Sequence, residues 1–192
     1  MTPFFALILD PQPVNLNEIL EEWFAILVKQ QKETVSILVQ RKLSTQDESM
    51  EEHFSHPLQV LCINSHIKFT QDVDEKIPQA QLNELWEKKT LHLRQLTSYK
   101  QTEITWMTGT KVREMIMNAI HQRDVLHDLI KSGAREVTDW AWNKQLRYHV
   151  KENCCECKIL IHIGSAEYHY GYEYQGTQVR CMSVQFAVNL FY

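Results

Sequence analysis

The chain has 192 residues, of which 44 % are apolar and 23 % are charged, a composition typical of a globular protein and not of a disordered or collagen-like one. A chain of this length buries about 70 % of its unfolded surface, so it needs no disulfide or metal to be stable. Its net charge is −4 and no basic run occurs, which argues against nucleic acid or an anionic membrane as a partner.

The N-terminus and the cysteines indicate a cytoplasmic protein. The apolar run over residues 4–9 has no basic residue before it and is too short for the core of a signal peptide. No window reaches the roughly eighteen apolar residues that a membrane span requires. The five cysteines are odd in number, and no Asn-X-Ser/Thr acceptor occurs, as is usual in a reducing compartment.

Helices are predicted in the first two thirds of the chain. Apolar residues recur at helical spacing over residues 16–42, and again over residues 79–100 and 109–131, the last helix ending near Gly133. Residues 58–69 fit either a buried helix or a strand, because periodicity alone does not distinguish the two.

The last third has the composition of a small sheet. After residue 138, aromatic and β-branched residues gather between polar or Gly-Ser turns, which predicts three short strands between residues 145 and 176. Four tyrosines alternate there and are expected on one face of a strand: Tyr168, Tyr170, Tyr172 and Tyr174. The predicted fold class is α+β, a predominantly helical segment followed by a small antiparallel β-sheet.

A cysteine cluster is the sharpest metal candidate. Cys154 and Cys157 form a C-x2-C pair, and His162 lies within reach of them in a hairpin, so a zinc site is one hypothesis. A thiol nucleophile with His149 or His162 as its base is another. Because no matching second pair occurs, ordinary thiols at a hairpin turn are favoured, and we predict no metal, no cofactor and no catalytic residue.

Three further patterns bear on catalysis and packing. The chain has no Gly-Lys dipeptide and therefore no phosphate-binding P-loop, so we predict no ATP hydrolysis by this chain alone. Asp72 and Asp74 are expected on different sides of a helix, as caps or surface charges. Trp140 and Trp142 are expected to be buried between helices and sheet, and Arg147 to be able to stack on an aromatic ring.

Several motifs resemble one family. Trp142-Asn-Lys-Gln-Leu-Arg-Tyr148 and Tyr170-Gly-Tyr-Glu-Tyr-Gln-Gly176 resemble the segment of dynein heavy chains in which the linker ends and the first AAA+ module begins. His56-Pro-Leu-Gln-Val60, Ile67-Lys-Phe-Thr-Gln-Asp-Val73 and Ile120-His-Gln-Arg-Asp-Val125 resemble motifs of the same region, in the same order. Residues 67–77, 139–142 and 175–176 are most similar to the second cytoplasmic dynein, which drives retrograde intraflagellar transport.

The resemblance implies an organisation and a role. It implies an extension over residues 1–15, a linker-like helical region over 16–137, a β-rich junction over 138–176 and a divergent tail over 177–192. It implies a non-catalytic mechanical part of a microtubule motor in the cytoplasm, cytoskeleton or cilium. Its partners would be dynein heavy, intermediate or light chains, and it would meet microtubules only indirectly. The residues that match the family's structural motif are Trp140, Trp142, Gln145, Leu146, Arg147, Tyr148, Tyr172, Glu173, Tyr174 and Gly176.

The tail departs from the family. After Gly176 the family continues through an adenine-contacting stretch into a P-loop, and residues 177–192 match neither. No nucleotide-binding residue can therefore be assigned by resemblance, and a truncated heavy chain segment is expected. The alternative is an autonomous interaction protein that binds dynein subunits.

Overall fold

The computed structural model describes residues 20–45, 49–100, 105–153 and 156–175. The elements in chain order are α1 (Leu20–Ser44), α2 (Met50–Ser55), α3 (Leu58–Lys76), α4 (Leu82–Lys100), α5 (Trp106–Ser132), α6 (Trp140–Asn143), β1 (Arg147–Asn153), β2 (Glu156–Ile163) and β3 (Ala166–His169). The α+β prediction is confirmed. The first positions of the predicted helix over residues 16–42 lie outside the described ranges.

Local sequence signals fix several helix ends. Ser49 and Glu52 form a reciprocal capping box at the start of α2. The Thr105 side chain accepts a hydrogen bond from the Thr108 N–H at the start of α5. Gly133 ends α5 in a left-handed conformation with φ of 69°, which a residue with a side chain adopts only at a cost, and the predicted end of this helix is confirmed.

Helix α3 is the central element of the fold and contributes to three hydrophobic clusters. The first cluster joins α3 to α4, α5 and α6 through Phe69, Val73, Leu85, Leu126 and Trp142. The second joins α3 to α1 and the sheet through Val35, Val39, Val60, Ile63, Ile67 and Ile159. The third joins α3 to α2, α4 and α5 through Phe54, Leu61, Leu96, Val112 and Met115. The ambiguous residues 58–69 are therefore helical, and burial on several sides explains why they show no single apolar face.

The sheet is small and antiparallel. Its strand order is β1-β2-β3, and the register pairs Arg147 with His162 in the first hairpin and Ile161 with Tyr168 in the second. At the second turn, Gly164 has a φ of 57° and its N–H donates to the Asn143 carbonyl at 2.8 Å, which ties α6 to this turn. The predicted sheet over residues 145–176 is confirmed, but its last strand ends at residue 169.

Among the helices in the described ranges, none is both long enough and apolar enough to cross a membrane.

Candidate functional site at the helix–sheet junction

One buried amide holds the chain where it leaves the sheet. Gln59 lies in the first turn of α3 and is buried. Its Nε2 donates to the Tyr170 hydroxyl at 2.8 Å and to the Glu173 carbonyl at 2.7 Å. Its Oε1 accepts the Gln175 N–H at 3.1 Å. Residues 170–175, here called the tyrosine segment, are thus fixed to the start of the central helix.

The tyrosine segment is not a strand, and the prediction of four rings on one strand face is wrong. Tyr172 has a φ of 53°, which breaks the alternation of an extended chain. The Gln59 side chain makes the hydrogen bonds to the backbone of this segment that a neighbouring strand would otherwise make. Tyr168 on β3 is 59 % exposed, whereas Tyr170 and Tyr172 pack on the second cluster with their rings edge to face at 5.1 Å.

Two further contacts support the tyrosine segment. The Tyr170 N–H donates to the Ile159 carbonyl at 2.9 Å, so the hydrogen bonding to β2 extends one residue beyond the end of β3. The Glu173 carboxylate lies 3.4 Å from the Lys32 ammonium on α1. Burial raises the pKa of the Tyr174 hydroxyl. The segment is therefore held by α1, α3 and β2 together.

The two indoles of α6 have opposite environments. Trp142 is fully buried, and its Nε1–H donates to Asp74 Oδ1 at 2.7 Å, while Phe69 meets its ring edge to face. Trp140 is 67 % exposed, so its predicted burial is wrong. The reason is geometric, because residues two apart on a helix project about 200° from each other. Asp74 is therefore the buried indole's partner and not a cap or surface charge.

A polar cluster extends from Asp74 along the sheet. His149 Nδ1 lies 3.7 Å from Asp74 Oδ2, and the His149 and His162 ring centroids are 4.5 Å apart. His162 Nε2 lies 3.1 Å from Glu167 Oε2. Burial lowers the pKa of His149, and Asp74 opposes this shift only in part. The predicted separation of the two aspartates is confirmed, since Asp72 pairs with Lys89 at 3.3 Å.

The residues between α6 and β1 anchor the sheet to α3. The Gln145 N–H donates to the Trp142 carbonyl at 3.0 Å, and Leu146 follows it, half-buried. The Tyr148 N–H donates to the Thr70 hydroxyl at 3.0 Å. Arg147 is 6 % exposed, burial lowers its pKa, and within the described residues its Nε has no hydrogen-bond partner.

The structure separates the zinc candidates that it describes. Cys154 and Gly176 lie outside the described residues. The register places Cys157 opposite Glu152 near the turn and His162 opposite Arg147 at the far end of β2. Five residues of strand span about 17 Å, so Cys157 and His162 do not share an ion. Within the described ranges, no group of three His, Cys, Asp or Glu side chains can hold a metal.

Sequence reasoning missed a groove beside the junction. Trp140 and Tyr168, both exposed, border an open groove of about 810 Å³ together with Gln145 and Gly164. It also missed Gln59 as the residue that holds the tyrosine segment. The one available signal was that Gln59 and residues 170–175 both belong to motifs with the same family resemblance.

Comparisons with known proteins agree with that resemblance. No family model matches the chain. Cytoplasmic dynein 2 heavy chain 1 of Homo sapiens is 29 % identical over 172 residues, covering 85 % of this chain and 4 % of the relative. The flagellar outer-arm dynein gamma chain of Chlamydomonas reinhardtii is 24 % identical over 88 % of this chain and 4 % of its own length. Dynein axonemal heavy chain 2 of Mus musculus is 32 % identical over 64 % of this chain and 3 % of its own length.

These three relatives are all dynein chains. Over most of its length the chain is similar to a segment of the dynein heavy chains, and it spans about 4 % of the length of the relatives it matches. Cytoplasmic dynein 2 heavy chains of several species are among those relatives, so the resemblance to this subtype is confirmed as well.

Proposed function

We propose that this chain is the mechanical element of a dynein heavy chain at which the end of the linker passes into the first AAA+ module. The observation that carries the proposal is the set of three hydrogen bonds between the Gln59 side chain and the tyrosine segment. They join a motif that resembles the linker to a motif that resembles the entry to the module. The proposal assigns residues 16–137 to the linker and residues 138–176 to the junction.

The contacts of the tyrosine segment suit the transmission of force. Its hydrogen bonds to Gln59 and its packing on the second cluster fix the segment at several points, and the Lys32–Glu173 ion pair adds a contact to α1. A joint fixed in this way passes a displacement of the helices to the chain that follows it. The residues of the junction therefore have a structural role, and nucleotide chemistry belongs to other parts of a heavy chain.

The proposal also sets the cellular context. A heavy chain segment would act in the cytoskeleton or the cilium, in assemblies with other dynein heavy, intermediate or light chains. It would move with a microtubule motor without contacting microtubules itself.

A chimera tests the proposed function. Residues 20–175 of this chain replace the homologous segment of a cytoplasmic dynein 2 heavy chain, and the purified motor is assayed for ATP turnover and microtubule gliding. We expect the chimera to glide. We expect Gln59→Ala in the chimera to slow gliding by more than it slows ATP turnover. Without the Gln59 hydrogen bonds, the tyrosine segment would move relative to α3 under force and transmit less of the displacement.

The matched control is Gln71→Ala, which removes an exposed glutamine from the same helix. It should leave both rates unchanged. A chimera that folds and hydrolyses ATP without moving microtubules would contradict the proposal. If the isolated chain then bound dynein subunits, it would be an autonomous interaction protein.

A further inference from the structure

The N-terminal half of α1 carries an apolar stripe that the described part of the chain leaves uncovered. Leu20, Phe24 and Val28 are 58 %, 50 % and 46 % exposed. They are spaced by four residues and therefore lie on one face of the helix. We call these three residues the α1 stripe.

The α1 stripe continues a face that is buried further along the same helix. Val35 and Val39 lie eleven residues, or about three turns, beyond Phe24 and Val28, so they share the same face. Both are 1 % exposed in the second cluster. Beside the stripe, Trp23 Nε1 is buried and has no hydrogen-bond partner among the described residues. A further layer that covers the stripe would thus extend an existing interface.

The tyrosine segment brings the chain to the edge of the α1 stripe. Glu173 pairs with Lys32, which lies between the stripe and the buried half of α1. From Lys32 to Phe24 the helix rises about 12 Å. Four residues of extended chain span about 13 Å, so residues 176–179 are long enough to bring the following residues onto the stripe.

The residues that follow have the chemistry to cover an apolar surface. Residues 177–192 contain one charged side chain, Arg180, and its sign is opposite to that of the exposed Glu21 and Glu22. From residue 182 onward every second residue is apolar: Met182, Val184, Phe186, Val188, Leu190 and Tyr192. This alternation gives an extended chain one apolar row.

We propose that residues 177–192 pack along the α1 stripe and bury Leu20, Phe24 and Val28. The contact extends the second cluster and gives the divergent tail a binding site on this chain itself. It does not depend on the proposed motor function, because its evidence is the exposed stripe, its continuity with the buried face and the reach of the chain.

Site-specific photocrosslinking in the full chain tests the contact. A benzophenone amino acid replaces Phe24, whose half-exposed side chain leaves room for it, and a control places the same group at Trp106, which is 71 % exposed on α5. After illumination of dilute protein, we expect crosslinks from position 24 to residues 177–192 of the same molecule, and none to those residues from position 106. Covalent dimers, or crosslinks from position 24 only to residues 1–15, would overturn the proposal.

Deletion of residues 177–192 gives an independent readout. We expect amide exchange over residues 20–31 to accelerate at least tenfold, because the covering layer is removed. Exchange over residues 58–76 should stay slow, which verifies that the shortened chain is folded. Unchanged exchange over residues 20–31 in a folded variant would overturn the proposal.

Discussion

Trp142 is the residue whose loss should damage the fold most. Its side chain is fully buried, and its Nε1–H donates to Asp74. We expect Trp142→Ala to lower the free energy of unfolding by about 3 to 5 kcal/mol, because it leaves a cavity and removes the hydrogen-bond partner of Asp74. Chemical denaturation followed by circular dichroism measures this loss.

Trp140 provides the matched control for this substitution. It is the same residue type two positions away, and it is 67 % exposed. Trp140→Ala should change the free energy of unfolding by less than about 1 kcal/mol. Equal losses for the two variants would contradict the burial of Trp142 and the exposure of Trp140.

His66 should make the stability depend on pH. Its ring stacks on Tyr148 with centroids 5.0 Å apart, and burial, assisted by the nearby His121, lowers its pKa to about 4. The unfolded state, with a pKa of about 6.5, binds the proton more readily than the folded state. The stabilising contribution is therefore complete above pH 6.5 and is lost as the pH falls towards 4.

The expected loss at pH 4.5 relative to pH 7.5 is about 2 kcal/mol from His66 alone. His66→Phe keeps an aromatic ring against Tyr148 and should reduce the acid-induced loss, as measured by urea denaturation at the two pH values. Gln71→Ala, at an exposed position without a titratable group, should leave the loss as it is. An acid-induced loss that His66→Phe does not alter would assign the pH dependence to other groups.

At the scale of elements, the tyrosine segment depends on a single glutamine of α3. Gln59→Ala removes the hydrogen bonds that its side chain makes with the Glu173 carbonyl and the Gln175 N–H, each of which contributes about 0.5 to 1.5 kcal/mol to holding the segment. We expect amide exchange over residues 170–175 to accelerate about tenfold or more, while exchange in α5 stays unchanged.

Gln71→Ala on the same helix should leave exchange over residues 170–175 unchanged, because Gln71 is exposed. If Gln59→Ala had no larger effect than this control, the hydrogen bonds of Gln59 would not hold the segment.

Local sequence signals were sufficient for the long elements and insufficient for the junction. The helices α1, α4 and α5 could be predicted because each has a spaced apolar face, and Gly133 marked an end. The secondary structure of α3 could not be predicted, because α3 is buried on several sides and its sequence shows no single apolar face. The turn at Tyr172 and the exposure of Trp140 depend on contacts with Gln59 and Asp74, which are distant in sequence.

For the whole molecule, we expect no nucleotide binding. The phosphate-binding loop with its lysine and metal-holding hydroxyl is absent from the sequence, and residues 177–192 contain no proline and no Thr-Asp pair like those of the family's adenine-contacting stretch. Calorimetric titration of the purified chain with Mg-ATP should be flat, and no phosphate should be released. Micromolar binding would require a site among residues with a structural role, and the buried Arg147 would be the first to substitute.

The position of α3 near the start of the chain has a consequence for synthesis. The third cluster is complete once Ala119 has been made, and the first once Trp142 has been made. The second must wait for Ile159 and the tyrosine segment, and the Gln59–Tyr170 hydrogen bond closes a sequence separation of 111 residues. At about 5 to 20 residues per second, the side of α3 that packs on the sheet is covered only by α1 on the ribosome for roughly 6 to 20 s. Nascent chains stalled before β2 should therefore present Val60, Ile63 and Ile67 to chaperones, and chains released after the tyrosine segment should not.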